Sequence, residues 1–186
     1  IFTRDEMEGT FAIGDVHLAK ADGPDVVMAF RWNDKPNQFG TPGMIMADWN
    51  RAAGKGTHAT LSAFDVHNTL VAAGPDFRRG HASEVPSGNI DLAATILHIL
   101  GVTPPEPLDG RVLREAMTWG NAEAPEVREE TVRAERLIGT GTWKQYLKLS
   151  RVGKHSYIDE GNGAFSTAAI QGGVIPPRLD QSERSP

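Results

Sequence analysis

The sequence predicts an α/β domain, and three observations predict it. Two short runs, PDVVMAFRW at 24–32 and TLVAAGP at 69–75, are apolar on both faces, as strands covered on both sides must be. A capped amphipathic helix, NIDLAATILHILG at 89–101, follows the second run. Beyond residue 126 the pattern turns to strict alternation, which predicts a small antiparallel addition with one solvated face.

Taken in order, IFTR (1–4) reads as the end of a strand. The run at 24–32 follows, with Val26, Val27, Met28 and Phe30 making it apolar on both faces and Pro24 at its first residue, where a missing N–H costs little. Residues 33–57, including NDKPNQFGTPG, form a polar loop long enough to be functional or mobile. The run at 69–75 closes on Gly-Pro as a second buried strand. In the helix at 89–101, Ser87, Asn89 or Asp91 can cap the N-terminus. Ile90, Ala93, Ala94, Leu97 and Leu100 form one apolar stripe, and Gly101 ends the helix ahead of Pro104 and Pro105. Asp109 can cap a further helix, GRVLREAMTW (110–119).

EVREETVRAERL (126–137) and TWKQYLKLSR (142–151) read as antiparallel strands. In the second, Trp143, Gln145, Leu147 and Leu149 share one face and Lys144, Tyr146 and Lys148 the other. HSYIDE (155–160) reads as a short third strand. Residues 1–165 make one domain, and 166–186, rich in Gly, Pro, Gln and Ser, an extended or disordered tail.

Composition narrows the function. At 186 residues with 39% hydrophobic and 23% charged side chains, the chain is of ordinary globular make-up with room for a core. A net charge of −5 argues against a dedicated nucleic-acid surface. No run of 18 apolar residues occurs, so no transmembrane segment is expected. With no cysteine there is no disulfide framework and no thiolate metal site, and the compartment stays open. Ile1 is not an initiator methionine, so a processed chain or a piece of something longer is expected.

The chemistry centres on His58, in the loop GKGTHATLS. A neutral imidazole is a common metal ligand and suits zinc. Gly54 and Gly56 let backbone approach a buried ion closely. In an arbitrary glycine-rich loop the ordinary alternative is a surface histidine. Downstream, HATLSAFDVHN adds Asp65 and His67. With His58 they form a conceivable three-ligand zinc site, at spacings of seven and nine residues that need a specific turn. The alternatives are a turn with capping side chains and the rim of a substrate pocket. Arg78 and Arg79 can face an anionic substrate or be ordinary solvated charge, as can Lys55 near His58. His98 sits within the helix; His17, His81 and His155 read as surface residues.

In combination, GTHATLS, LVAAGPDF, NIDLAATILHILGV and LDGRVL resemble the C-terminal part of the alkaline phosphatase superfamily, which includes phosphodiesterases, nucleotide pyrophosphatases and sulfatases. The match spans roughly 54–115. His58 corresponds to the family's late histidine, with Ala59 where a Gly is usual. NIDLAATIL corresponds to a D-x-x-P-T-[IL]-L pattern, with Ala94 where Pro is usual, and LDGRVL to M-D-G-x-x-L. The family's Asp-His cluster and its Thr or Ser nucleophile have no counterpart here.

The resemblance implies the C-terminal half of a three-layer α/β/α sandwich around a mostly parallel sheet. It implies a metal-dependent hydrolase of phosphate esters, leaning to phosphodiester or nucleotide pyrophosphate bonds. His58 would be one ligand of a divalent metal, zinc, in a two-ion site. Asp65, His67 and Arg78 would stand near a small anionic ester. The nucleophile and most ligands would come from the N-terminal portion of the same enzyme, and without it the chain is expected to be inactive. A sulfatase-type hydrolase and a non-catalytic fragment or binding module are the alternatives. A half-sheet of this kind would expose an edge and an apolar face, and would need its missing portion or oligomerisation for full stability.

Overall fold

The structure is a computed structural model describing residues 1–5, 7–16, 18–46, 60–120 and 123–167. His58, Lys55 and the glycines around them lie outside the described residues, as do His17 and the tail from 168 onward.

The dominant element is a three-stranded antiparallel meander of β6 (Val127–Ile138), β7 (Gly141–Val152) and β8 (His155–Thr167), in the order β6-β7-β8. The expected alternation sets it up. Gln145, Leu147 and Leu149 turn to one face and are buried, while Lys144 and Lys148 stay in water. Two-residue turns join the strands, each led by a glycine in the left-handed region, Gly139 at φ 60° and Gly153 at φ 59°, as tight hairpins require. β6 keeps its expected length, β7 and β8 run longer than expected, and β8 extends to Thr167, into what the sequence predicts as tail.

The buried face of this sheet meets a small N-terminal sheet. There β1 (Phe2–Thr3) pairs in parallel with β2 (Phe11–Ala12) and antiparallel with β3 (Val26–Val27). The core between them is Phe2, Phe11, Ile13, Leu147 and Leu149, with Val27, Leu61, Val132 and Ile158 packed around it. A short hairpin of β4 (Arg31–Asn33) and β5 (Met44–Met46), together with the single-turn helix α1 (Ala63–Val66), docks on the edge of β8. Trp32 Nε1 donates to the Gly161 carbonyl at 2.8 Å, and Gly161 N–H donates to Leu61 at 2.8 Å. A side chain at Gly161 would press on Leu61 and Leu147, so the close docking depends on glycine there.

The expected α/β/α sandwich does not form. Strands dominate, in three small sheets, and among the described residues parallel pairing is confined to Phe2–Thr3 with Phe11–Ala12. A parallel sheet needs crossover helices over both faces, and here no helix covers the apolar runs. The segment 24–32 breaks into β3 and β4, leaving Met28 71% exposed. TLVAAGP is not a strand at all, and Val71 is 83% exposed. The predicted helix at 110–119 shrinks to a 3₁₀ turn at Arg114–Ala116; ahead of it the Arg111 and Leu113 N–H groups donate to the Asp91 and Thr95 side chains of another element. Gly110 is pressed so closely against the Ile90 carbonyl that a Cβ would lie 2.0 Å from it.

The helix at 89–101 does form, as α2 (Asn89–Ile99), and Gly101 closes it at φ 64°. Its buried face is not the one expected. Of the apolar stripe, Ile90, Ala93 and Leu100 are exposed and Ala94 and Leu97 half-buried, while Asp91 and Thr95 are buried. No described helix is long and apolar enough to cross a membrane.

Candidate functional site

Asp65 and His67 belong to the turn of α1. Ser62 caps it, its hydroxyl accepting from Phe64 N–H, so residues 60–68 wind tightly before joining the long connection to α2. The Asp65 carboxylate is held by the Thr60 hydroxyl, and Asn68 Nδ2 donates to the Asp65 carbonyl at 3.0 Å. His67 ends the turn, its N–H donating to Ala63, with its ring exposed. Here the capping-turn reading describes the local geometry.

His67 borders an open groove of about 2110 Å³ between the 66–90 connection and the β6–β8 sheet, and Arg78 lines the same groove. Arg78 is strongly committed. Its Nε donates to Met117 O at 2.8 Å and an Nη to Gly120 O at 2.9 Å. Backbone bonds from Arg78 N to Ala116 and from Thr118 N to Asp76 complete the clamp, so this guanidinium ties 76–78 to 116–120. Arg79 is exposed.

Nothing brings Asp65 and His67 into a ligand set. Among the described residues, no group of three His, Asp or Glu side chains can hold a metal ion. These residues alone therefore do not fit a resident metal. Any metal site that includes His58 draws on residues outside them.

The best-built cluster is one the sequence reading passed over, and it stands at the groove's inner end. Asp91 opens α2 and is fully buried. Its Oδ2 accepts from Gly88 N–H at 2.9 Å, closing the first turn, and from the Tyr157 hydroxyl at 3.0 Å. Its Oδ1 accepts from Arg111 N–H at 2.8 Å. Arg111 in turn grips Glu115 with two nitrogens, at 2.9 and 2.7 Å, and donates Nε to the Tyr157 oxygen and an Nη to Pro86 O. One turn along α2, Thr95 Oγ1 accepts from Leu113 N–H at 3.1 Å. The cluster thus joins α2, the 108–116 segment and β8.

Its electrostatics follow from burial and pairing. Burial, followed by the Asp91 carboxylate, pushes the Tyr157 phenol up to about 12 against the pull of Arg111. Burial disfavours charge on Glu115, but the hydrogen bonds and charge of Arg111 outweigh it and hold the carboxyl below its ordinary range. Arg111 is likewise held above its ordinary value by Glu115, against the cost of burial. Each hydrogen-bonding face of Asp91 and Arg111 is thus engaged within the protein, and the cluster works as an internal clasp. The signal in the sequence was Asp91 and Thr95 four apart in an otherwise apolar helix. Two hydrogen-bonding side chains at that spacing share a face, and here that face turns inward.

Two of the remaining histidines are also placed. His98 stacks near Trp119, ring centroids 4.9 Å apart, and His155 Nδ1 lies 2.9 Å from the Asp109 carbonyl. No family model, curated protein or solved structure matches this chain.

Proposed function

We propose that the chain takes part in metal-dependent hydrolysis of phosphate esters, phosphodiester or nucleotide pyrophosphate bonds, as the C-terminal portion of an alkaline phosphatase superfamily enzyme. In this reading His58 is a ligand to a divalent metal, zinc in the first instance. The nucleophile and the remaining ligands come from outside these 186 residues. A small anionic ester enters, in this reading, through the groove that His67 borders.

The observation that carries the reading is the interdependence of two of the matching blocks, NIDLAATIL and LDGRVL. Asp91, Thr95, Gly110 and Leu113, named in the patterns, take part in the packing of one block on the other. Asp91 accepts the Arg111 N–H, and Gly110 lets the second block lie against Ile90.

The test is hydrolysis of bis(p-nitrophenyl) phosphate and p-nitrocatechol sulfate with added zinc or manganese. The chain is assayed alone and within its full natural reading frame, each with His58→Ala alongside. The reading expects a metal-dependent diesterase rate from the full frame, lost in the variant, and none from the chain alone. Preference for the sulfate ester would move the assignment to a sulfatase. A full frame with no metal-dependent rate, or one indifferent to His58→Ala, would overturn it.

A further inference from the structure

We propose that the outer edge of β6 is a self-association surface whose occupant is β6 of a second copy of this chain, antiparallel, with Thr131 on the twofold axis. This inference is independent of the hydrolase reading. β6 is bonded to β7 at all twelve positions along one edge, and no backbone hydrogen bond from the described residues reaches the other. The opposite margin of the sheet is covered, because β8 receives Leu61 and Trp32 at Gly161 and Asn162. Long unpaired edges are normally blunted by a bulge, a proline or a run of lysines. β6 contains no proline or lysine and keeps regular register with β7, and all but Val132 and Ala134 are exposed.

Its charges are self-complementary. In a twofold antiparallel pair, residues opposite each other share a face, so the residue on the axis determines every pairing. With Thr131 there, Glu129 stands opposite Arg133 of the second copy, twice by symmetry, and no like charges meet within β6. Centring on Val132 sets Arg128 against Arg136 and Glu129 against Glu135. Centring on Glu130 or Arg133 sets that charge against itself. Centring on Ala134 overlaps nine residues as well, but it sets Arg133 against Glu135, a carboxylate already paired with Lys144 of its own chain at 3.4 Å. Glu129 and Arg133 make no ion pair with the described residues, so the second copy supplies partners this chain does not. The same register brings exposed Leu137 diagonally beside exposed Val127 of the copy on one face, an apolar contact at each end.

The test is sedimentation equilibrium of the full chain, with Glu129→Arg, Arg133→Glu and the double swap. Each single change converts two attractive pairs into two repulsive ones, on exposed side chains that the fold does not use. The expected result is a dimer that each single variant weakens about tenfold or more, restored by the double swap. Circular dichroism checks that all variants stay folded. A wild-type chain monomeric at about 1 mM, a dimer indifferent to the single changes, or a double swap that fails to restore association would each overturn the proposal.

Discussion

Replacing Asp91 by Ala tests whether the clasp between α2 and the sheet holds the structure together. The side chain is fully buried and accepts three hydrogen bonds, from Gly88 N–H, Arg111 N–H and the Tyr157 hydroxyl, at 2.8 to 3.0 Å. Truncation leaves three donors without an acceptor. A buried unsatisfied donor costs about 1–3 kcal/mol, so the gross loss is about 3–9 kcal/mol. Gly88 and Arg111 are only half-buried, and water reaching them recovers part of it. The net expectation is about 3–5 kcal/mol, a large share of the roughly 5–15 kcal/mol that holds a domain folded. In urea, with a slope of about 2 kcal/mol/M, the midpoint should fall by about 2 M. Asp91→Asn keeps one acceptor oxygen but sets an NH₂ against a backbone donor, so it should fall between wild type and the Ala variant. A midpoint shift equivalent to less than about 1 kcal/mol for Asp91→Ala would refute the reasoning, since the three donors would then be satisfied without the carboxylate.

Three further outcomes follow from the same geometry. Gly110→Ala should destabilise by about 2–4 kcal/mol, because its Cβ would meet the Ile90 carbonyl at 2.0 Å and backbone must move; thermal melting reads this directly. Tyr157 has its pKa raised to about 12 in the folded chain against 10.0 for the free group, so its contribution is fully present below pH 10 and is lost as pH climbs towards 12. Stability measured from pH 9 to 12 should therefore decline more steeply in wild type than in Tyr157→Phe, and equal slopes would contradict that. Arg78→Ala should lower stability by about 1–3 kcal/mol through lost bonds to Met117 and Gly120, and Arg78→Lys should recover little, since a single ammonium cannot span both carbonyls.

What the sequence by itself determined was local and periodic. The alternation of β7 groups the residues of its buried face, and Gly101 ends α2. Each is decided by residues within a few positions of one another. Which residues share the candidate site was not legible in this way. His67 and Arg78 reach the same groove by separate routes, while Asp65 is absorbed by its own turn and His58 lies outside the described residues. Only the tertiary structure decided the faces of α2 and the fate of the apolar runs. An apolar stripe states a demand for burial without naming what will cover it: in the run at 24–32 Val27 packs against the core while Met28 and Phe30 stay exposed, and the run at 69–75 is exposed throughout. Asp91 and Thr95 turned inward because their donors come from Tyr157, Arg111 and Leu113, as many as 66 residues away along the chain. A buried carboxylate is tolerated only when such donors converge on it, and that convergence belongs to the packing of α2, the 108–116 segment and β8 rather than to any one of them.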